Sequence, residues 1–400
     1  MTRRVRLWAA AAVGVLLLTG CQQGSLDPTP TASDPAAEPS ASATPTPTPE
    51  PATVSVSAMG DILPHDSVTA DALQPDGSYD YGQLFDAARP IWADSDLVYC
   101  NQEAPSGGVE MGLTYFPAFN APVEFAEGIA DAGCNTIGLG NNHTFDRGQE
   151  GIDRTRAVWD ELDPLLIHGA FRSAEEQAQV PTTEIDGLTV AFLNFVDLSN
   201  TATNEHAVTW LDDPLVEQQL AEAEEVADAT VLAVHWGDEY SSVVNDRQRE
   251  QAQRLAELGA DVILGTHPHV LQEAEWLERE DGSRAFVYYS LGNSLTTQMA
   301  VPRVVSAVAQ FELVGEPGGE IEVVDPAAVP IYMHFDLTPA QFASQQWANR
   351  RNLQLHPLVD AAEPITRSAW RNELTVESGM QLVTDALGPD VRIVTDSFEQ

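Results

Sequence analysis

The 400-residue sequence contains no lysine: all 19 basic residues are arginine, whereas 61 aspartates and glutamates bring the formal net charge to −42 at pH 7. A protein that neutralises nucleic-acid phosphates needs a basic face, so this balance argues against nucleic acid as a partner. It also argues against binding a bare anionic polymer unless metal ions bridge the two.

Long hydrophobic runs are scarce as well. The longest, Leu7–Leu18, follows an arginine-rich start and is shorter than the roughly 20 residues that cross a bilayer. A basic start, a short apolar run and small residues before a cysteine predict a secretory signal peptide over residues 1–20. Leu18-Thr-Gly-Cys21 resembles a bacterial lipobox, which implies that Cys21 is lipidated. The alternative is an ordinary signal peptide with a chance cysteine.

Aromatic residues are missing from residues 21–52, where proline, threonine, serine and alanine predominate. Such a segment cannot bury enough apolar surface to fold, so we predict a disordered tether. The expected protein is extracytoplasmic and lipid-anchored to the bacterial cell membrane. Residues 53–336 are predicted to form the main domain, and residues 337–400 an extension that packs on it.

Besides Cys21, only Cys100 and Cys134 are present. Both can be oxidised in an extracytoplasmic setting. On neighbouring parallel strands, however, they are expected at opposite ends, about 15 Å apart at roughly 3.3 Å per residue. We therefore predict two buried thiols rather than a disulfide.

Seven short apolar runs, each followed by polar residues, alternate with helical patterns, one of which Asn245 is expected to cap. Short runs rich in valine and isoleucine are typical of strands covered on both faces, and the alternation predicts a layered α/β domain. A β-hairpin (residues 304–324) and a mixed α/β tail, with helices near residues 339–352 and 378–387, are expected to follow. The runs begin at Val54, Leu97, Thr136, Val190, Val231, Val262 and Phe286.

Polar side chains with metal-binding chemistry lie at the carboxyl ends of these predicted strands, where α/β sheets bind ligands. Histidine nitrogens and carboxylate oxygens suit divalent ions such as Mn, Fe or Zn, and two such ions can clamp a phosphoryl centre. We therefore expect one or two ions. The candidate residues are Asp61, Glu103, Asn142, His143, His235, His267 and His269.

The motifs around these residues resemble the bacterial CapA-type family, named for poly-γ-glutamate capsule biosynthesis, within the calcineurin-like metallophosphatase superfamily. The resemblance covers roughly residues 53–335 and implies a metallophosphatase-like fold. The matching pieces are Gly60-Asp61, Asn101-Gln-Glu-Ala-Pro105, Gly140-Asn-Asn-His-Thr-Phe-Asp146, His235-Trp-Gly-Asp-Glu-Tyr240, Gly265-Thr-His-Pro-His-Val270 and Tyr289-Ser-Leu-Gly-Asn293.

The resemblance also implies roles for individual residues. Asp61 and His269 are expected at a first metal, and Asn142, His235 and His267 at a second. His143 would assist the leaving group, and Asp146 would orient His143.

Two positions depart from the superfamily pattern. Leu63 stands where a histidine is usual, and His65 is the possible substitute. Glu103 stands where the bridging aspartate is usual, as it does in CapA-type proteins. Four further residues are expected at the rim of the site, as substrate contacts or as packing behind it: Trp236, Glu239, Tyr240 and Asn293.

Three functions are compatible with the sequence. The first is a metal-dependent phosphoesterase that acts in the synthesis or export of an anionic surface polymer such as poly-γ-glutamate. The second is a non-catalytic subunit whose metals bind polymer carboxylates or that organises a membrane synthetase. The third is a general surface phosphoesterase.

Overall fold

Two β-sheets with flanking helices organise residues 51–398, which are the residues that the computed structural model describes. The predicted signal peptide, Cys21 and all but the last two residues of the predicted tether lie outside this range. No helix within it is both long and apolar enough to cross a membrane.

The strands correspond to the predicted apolar runs, with additions between and after them. They are β1 (Ala52–Ile62), β2 (Leu97–Gln102), β3 (Thr136–Gly138), β4 (Leu166–His168), β5 (Thr182–Ile185), β6 (Leu188–Val196), β7 (Ala229–His235), β8 (Val262–Thr266), β9 (Ala274–Glu278), β10 (Arg284–Tyr288), β11 (Asn293–Leu295), β12 (Val305–Gly315), β13 (Ile321–Asp336), β14 (Arg351–Pro357) and β15 (Arg392–Ile393).

The α-helices mostly lie between strands. They are α1 (Asp66–Ala72), α2 (Glu124–Asp131), α3 (Gly148–Leu162), α4 (Ala174–Gln177), α5 (Leu215–Val226), α6 (Asp246–Glu257), α7 (Val301–Val304), α8 (Pro339–Ala343), α9 (Ala362–Arg367) and α10 (Val376–Leu387). Asn245 caps α6 as predicted, because its side chain accepts a hydrogen bond from the Gln248 N–H while the Gln248 side chain accepts one from the Asn245 N–H.

The larger sheet has the strand order β14-β13-β12-β1-β2-β3-β4, with β11 paired to β1 and β15 to β13. Strands β1 to β4 are parallel, and β12, β13 and β14 are antiparallel additions. The smaller sheet has the order β5-β6-β7-β8-β10-β9, and its four central strands are parallel. In each sheet, the neighbouring parallel strands therefore have their carboxyl ends at the same edge.

Strand β6 illustrates why continuous apolar runs form these sheets. Val190 and Phe192 are buried in a core that also contains residues of the larger sheet, whereas Ala191 and Leu193 are buried in a second core with residues of α5 and α6. Alternate side chains of a strand point to opposite faces, so a strand covered on both faces must be apolar throughout. The predicted layered α/β architecture is confirmed.

The predicted hairpin is the antiparallel pair β12 and β13. Strand β13 continues without a break to Asp336. Beyond it, the helix expected near residues 339–352 is a short α-helix, α8, followed by one 3-10 turn at Trp347–Asn349, and the chain becomes strand β14 at Arg351. The C-terminal segment therefore contributes β14 and β15 to the larger sheet and places α10 outside it.

Cys100 and Cys134 form a disulfide, with Cα atoms 5.9 Å apart, so the prediction of two free thiols is wrong. The prediction treated Cys134 as lying in line with β3. In the structure, Gly133 has a φ of +103° and the Cys134 N–H donates to the carbonyl of Ile129 at the end of α2. The chain reverses there, which brings Cys134 beside Cys100 in the middle of β2.

Candidate metal centre

The carboxyl ends of the two sheets meet at one buried cluster of polar side chains. The N–H of Asp61, on β1, donates to the carbonyl of Gly292, which follows β10 and precedes β11 (2.9 Å). The loops after β2, β3 and β8 and the end of β7 supply the rest of the cluster. The seven candidate residues Asp61, Glu103, Asn142, His143, His235, His267 and His269 are all buried here.

Asp61 and His269 are in direct contact at one side of the cluster. The Nδ1 atom of His269 lies 2.9 Å from Oδ2 of Asp61 and 3.0 Å from Oδ1 of Asn293. Asn101 donates to Oδ1 of Asp61 (2.8 Å). These acceptors hold the proton of His269 on Nδ1, so the Nε2 lone pair is directed to the interior of the cluster.

Glu103 lies at the centre of the cluster. Its Oε1 is 3.7 Å from Nε2 of His235 and 3.7 Å from Nε2 of His269. Both of its carboxylate oxygens are buried, and neither has a hydrogen-bond partner among the described residues. Burial, and next the negative charge of Asp61, raise the pKa of Glu103 well above its ordinary value. A buried carboxylate without donors is costly unless a cation satisfies it.

Two groups of ligand atoms around Glu103 can hold a cation. One consists of Glu103, His267 and His269, and the other of Asp61, Glu103 and His235. Within each group the ligand atoms lie within 4.8 Å of one another. Because Glu103 belongs to both groups, the residues present fit one ion, or two ions that share this carboxylate.

His235 and His267 provide neutral imidazoles for such an ion. Nδ1 of His235 lies 2.9 Å from Oγ1 of Thr266, and its Nε2 faces Oδ1 of Asn142 at 3.1 Å. Burial, followed by the neighbouring histidines, lowers the pKa of His235 well below its ordinary value. Burial also lowers the pKa of His267 to about 4. A cation binds the neutral form, so both side chains are in the ligating state at neutral pH.

The Gly265–His269 turn is strained in a way that fits a functional site. His267 and His269 have φ values of +97° and +58°, a region that costs non-glycine residues about 1–3 kcal/mol. A Cβ at Gly265 would lie 2.0 Å from the carbonyl oxygen of Tyr289, so only glycine permits this approach. The turn therefore holds two imidazoles in a fixed, strained arrangement at the end of β8.

His143 and Asp146 form a pair beside the metal-capable groups. Nδ1 of His143 lies 2.7 Å from Oδ2 of Asp146, which also accepts a hydrogen bond from the N–H of Phe119 (2.7 Å). The Phe119 ring packs edge-on against His143, with centroids 4.7 Å apart. The carboxylate fixes the tautomer of His143 and leaves Nε2 as the atom that can exchange a proton.

His65 stays near this cluster without joining either group. Its ring lies 5.6 Å from that of Phe119, and its buried Nδ1 has no hydrogen-bond partner within residues 51–398. Burial, and then the charges of Arg350 and His269, lower its pKa to about 3. Its role as a substitute ligand remains a prediction.

The four residues predicted at the rim have different positions. Trp236 is fully buried in the core beneath α6 and donates its indole N–H to the carbonyl of Tyr289 (2.9 Å), so its side chain packs behind the site. Asn293 is also fully buried and positions His269. Glu239 and Tyr240 are exposed at the rim.

Sequence reasoning assigned no role to three residues that support the site. Asn101 donates to Asp61, Thr266 contacts His235, and Asn200 places its Nδ2 3.3 Å from Nε2 of His143. Asn101 and Thr266 lie within the recognised motifs. Asn200 follows β6 and belongs to none of the recognised motifs. The tertiary structure alone brings it close to His143.

Solved structures similar to this chain include two nucleotidases. One is the NAD nucleotidase of Haemophilus influenzae, at 12% identity and a TM-score of 0.44, which covers 75% of this chain and 55% of that one. The other is a putative 5'-nucleotidase of Staphylococcus aureus, at 14% identity and a TM-score of 0.46, which covers 74% of this chain and 58% of that one.

Two curated relatives are similar in sequence. The PGA biosynthesis protein CapA of Bacillus subtilis (strain 168) is 29% identical over 266 residues, 64% of this chain and 66% of the relative. The capsule biosynthesis protein CapA of Bacillus anthracis is 29% identical over 248 residues, 59% of each. The match thus spans less than two thirds of either relative's length.

A family model described as bacterial capsule synthesis protein PGA_cap matches residues 55–298. That range begins within β1 and ends just after β11, so it contains every residue of the cluster described above. The chain belongs to the bacterial capsule synthesis protein PGA_cap family.

Proposed function

We propose that this protein is a metal-dependent phosphoesterase of the cell envelope that acts in the synthesis or export of an anionic capsule polymer. The observation that carries the proposal is the position of Glu103. Both of its buried oxygens lack a hydrogen-bond partner among the described residues, and it belongs to both groups that could hold a metal ion. The hydrogen-bonded pair of His143 and Asp146 lies beside these groups.

In the proposed reaction, Asp61, Glu103, Asn142, His235, His267 and His269 hold one or two divalent ions, of the Mn, Fe or Zn type. Such ions supply positive charge that stabilises a phosphoryl group and favours attack by water. His143, in its doubly protonated form, donates the proton on Nε2 to the departing oxygen as the phosphorus–oxygen ester bond breaks, and Asp146 holds the ring through Nδ1. The attacking water loses its proton to solvent, and His143 is reprotonated from solvent. Burial of these side chains excludes bulk water and strengthens each electrostatic contact.

A second candidate is a non-catalytic subunit that binds the polymer through the metals. The net charge of −42 favours it, because a strongly acidic protein can hold a polyanion most readily through bridging cations. Either function is compatible with a place in a membrane polymer-synthesis complex. A general phosphoesterase of the cell surface remains the third reading, and it would act equally on substrates unrelated to the polymer.

Turnover separates the first two candidates. Purified, metal-loaded protein is tested against a panel of phosphomonoesters and phosphodiesters, with His143→Ala and Asn142→Ala as the active-site variants. Turnover that disappears in both folded variants supports catalysis. Stoichiometric metal and polymer binding with no turnover on any ester refutes the phosphoesterase and favours the binding subunit.

The proposed membrane attachment rests on Leu18-Thr-Gly-Cys21 and is tested separately. Cys21→Ser is expected to move the protein from the membrane fraction to the soluble fraction of its host. Unchanged retention in membranes would rule out the lipid anchor and would leave the metal site unaffected.

A further inference from the structure

A groove of about 880 Å³ opens directly beside the candidate metal centre. One wall comes from the loop at residues 240–244, the floor from Val270 and Leu271, and the opposite wall from α10. Tyr240 links the groove to the metal centre, because it lines the groove and its ring lies 5.9 Å from the ring of His269.

The surface of the groove is mixed and includes an apolar part. Val243 is 72% exposed and Tyr240 is 43% exposed, and both line it. Pro302, Leu382 and Ala386 continue the apolar surface. Contiguous exposed apolar residues next to a catalytic centre are typical of a ligand groove.

The described residues that line the groove leave no positive charge unpaired. Arg249 forms ion pairs with Glu273 and Glu275, whereas Asp385 accepts a hydrogen bond from the neutral side chain of Gln381 (2.7 Å) and keeps its negative charge. This charge balance disfavours an anionic chain along the groove and is compatible with an apolar segment.

Arg303 stands at the junction of the groove and the metal centre. Its guanidinium lies 3.5 Å from the centroid of the Tyr240 ring, and that ring is 5.9 Å from the ring of His269. Within residues 51–398 the guanidinium has no carboxylate partner. The backbone carbonyl oxygen of Arg303 accepts a hydrogen bond from the side chain of Asn293 (2.9 Å), the residue that positions His269.

Tyr240 is held at this junction by its backbone. It has a φ of +66°, and its N–H donates to the carbonyl of Pro268 (2.8 Å), between the two histidines of the turn. The backbone contact places Tyr240 beside the histidine turn, and the Arg303 guanidinium stacks on its ring. An unpaired arginine so placed in a chain of net charge −42 is suited to binding an anion.

We propose that the substrate is an amphiphilic phosphoester: its anionic head binds between the metal centre and Arg303, and its apolar segment lies in the groove. This inference rests on the proposed function and specifies the substrate class of the same site. It also assigns a role to the C-terminal segment, because α10 presents Ser378, Gln381, Leu382, Asp385 and Ala386 on one face toward the groove. Those residues lie beyond the range of the family match, 55–298.

Binding of non-hydrolysable phosphonates to the metal-loaded full chain tests the proposal by isothermal titration calorimetry. Decylphosphonate, kept below its micelle concentration, is expected to bind at least about tenfold more tightly than ethylphosphonate, since burial of two methylene groups already accounts for that factor. Val243→Glu and Leu382→Glu should remove most of this preference and leave the affinity for ethylphosphonate unchanged. Val226→Glu is the matched control, because Val226 is also exposed (48%) but lies outside the groove.

Arg303→Gln tests the head-group contact. It should weaken both phosphonates by about tenfold, as expected for loss of a charge-assisted hydrogen bond. Arg284→Gln is its control, because Arg284 likewise stacks on an aromatic ring, that of Trp276 at 4.1 Å, and should leave both affinities unchanged.

The outcomes distinguish this inference from the proposed function. Equal affinity for the two phosphonates, or a preference that survives Val243→Glu and Leu382→Glu, overturns the groove assignment even if the protein hydrolyses phosphoesters. If Arg303→Gln weakens phosphonate binding no more than Arg284→Gln does, the head-group contact is overturned. A chain-length preference in a protein without turnover refutes the phosphoesterase and leaves the groove as a binding site.

Discussion

Replacement of Glu103 by glutamine is the most direct test of the metal centre. Glutamine keeps the shape of the side chain and removes its negative charge. In the structure that charge is fully buried, adjacent to Asp61, and receives no hydrogen bond from any described residue. We expect Glu103→Gln to abolish most of the stabilisation that divalent metal gives to the folded protein.

The magnitude follows from mass action. A ligand at about 100 times its Kd stabilises the folded state by about 2.7 kcal/mol. In a folded region of 348 residues (51–398), a change of about 1 kcal/mol moves Tm by about 1.4 °C. Saturating metal should therefore raise the Tm of the wild-type protein by about 4 °C relative to EDTA-treated protein, and should raise that of Glu103→Gln by no more than about 1 °C.

The pH dependence of the metal-free proteins provides a second readout. Because the pKa of Glu103 is raised on folding, the folded state binds more protons than the unfolded state. The stability of metal-free wild-type protein therefore falls as the pH rises above the ordinary carboxyl value of 4.5 toward the higher folded value. Glutamine does not titrate, so the stability of Glu103→Gln relative to wild type should increase from about pH 5 to about pH 8.

Differential scanning fluorimetry with and without EDTA, across this pH range, measures both effects. Glu239→Gln is the control, because it removes a carboxylate that is exposed at the rim, and it should retain nearly the full metal-dependent shift. If Glu103→Gln keeps the metal-dependent rise in Tm, or if its relative stability is the same at both pH values, the reasoning about this carboxylate is refuted.

Three further predictions concern other parts of the structure. His143→Ala should reduce kcat by about 10²- to 10⁴-fold, and Asp146→Asn should reduce it by about 10- to 100-fold. Both variants should keep full metal content by elemental analysis. A loss of metal in either variant would contradict the assignment of these residues to proton transfer. The double variant His267→Ala/His269→Ala should lower the bound transition metal per chain while retaining a cooperative melting transition; unchanged metal content would refute the ligand set. Cys100→Ser/Cys134→Ser opens a disulfide that spans 34 residues, and should lower stability by about 4 kcal/mol and Tm by about 5 °C; a change below about 1 °C would contradict the stabilising role of the crosslink.

The residues that the sequence assigned to metal binding converge because the assignment rested on local features that the fold preserves. Short apolar runs that need cover on both faces become strands, and polar residues directly after them necessarily lie at one sheet edge. The positions of Asp61, Glu103 and His235 follow from this rule alone. Family resemblance distinguished the expected proton donor, His143, from the expected ligands.

Sequence spacing did not predict side-chain positions correctly where the chain turns away from the direction of a strand. Cys134 was placed by extending β3 backwards, but the turn at Gly133 moves it beside Cys100. Trp236 directly follows a candidate ligand, yet its side chain points to the opposite face of the strand and packs in the core. Neighbours along the chain share a strand end without sharing a face, because side chains alternate.

The amino-acid sequence by itself determined the layered α/β architecture and the set of metal-capable side chains, because both depend on patterns a few residues long. Only the tertiary structure decided which of those side chains lie together as ligands of one ion. The two groups that share Glu103 combine strand ends from both sheets. The same holds for the groove. Its walls are separated by more than 130 residues in the chain, and only the packing of α10 beside the loop of Tyr240 brings them together.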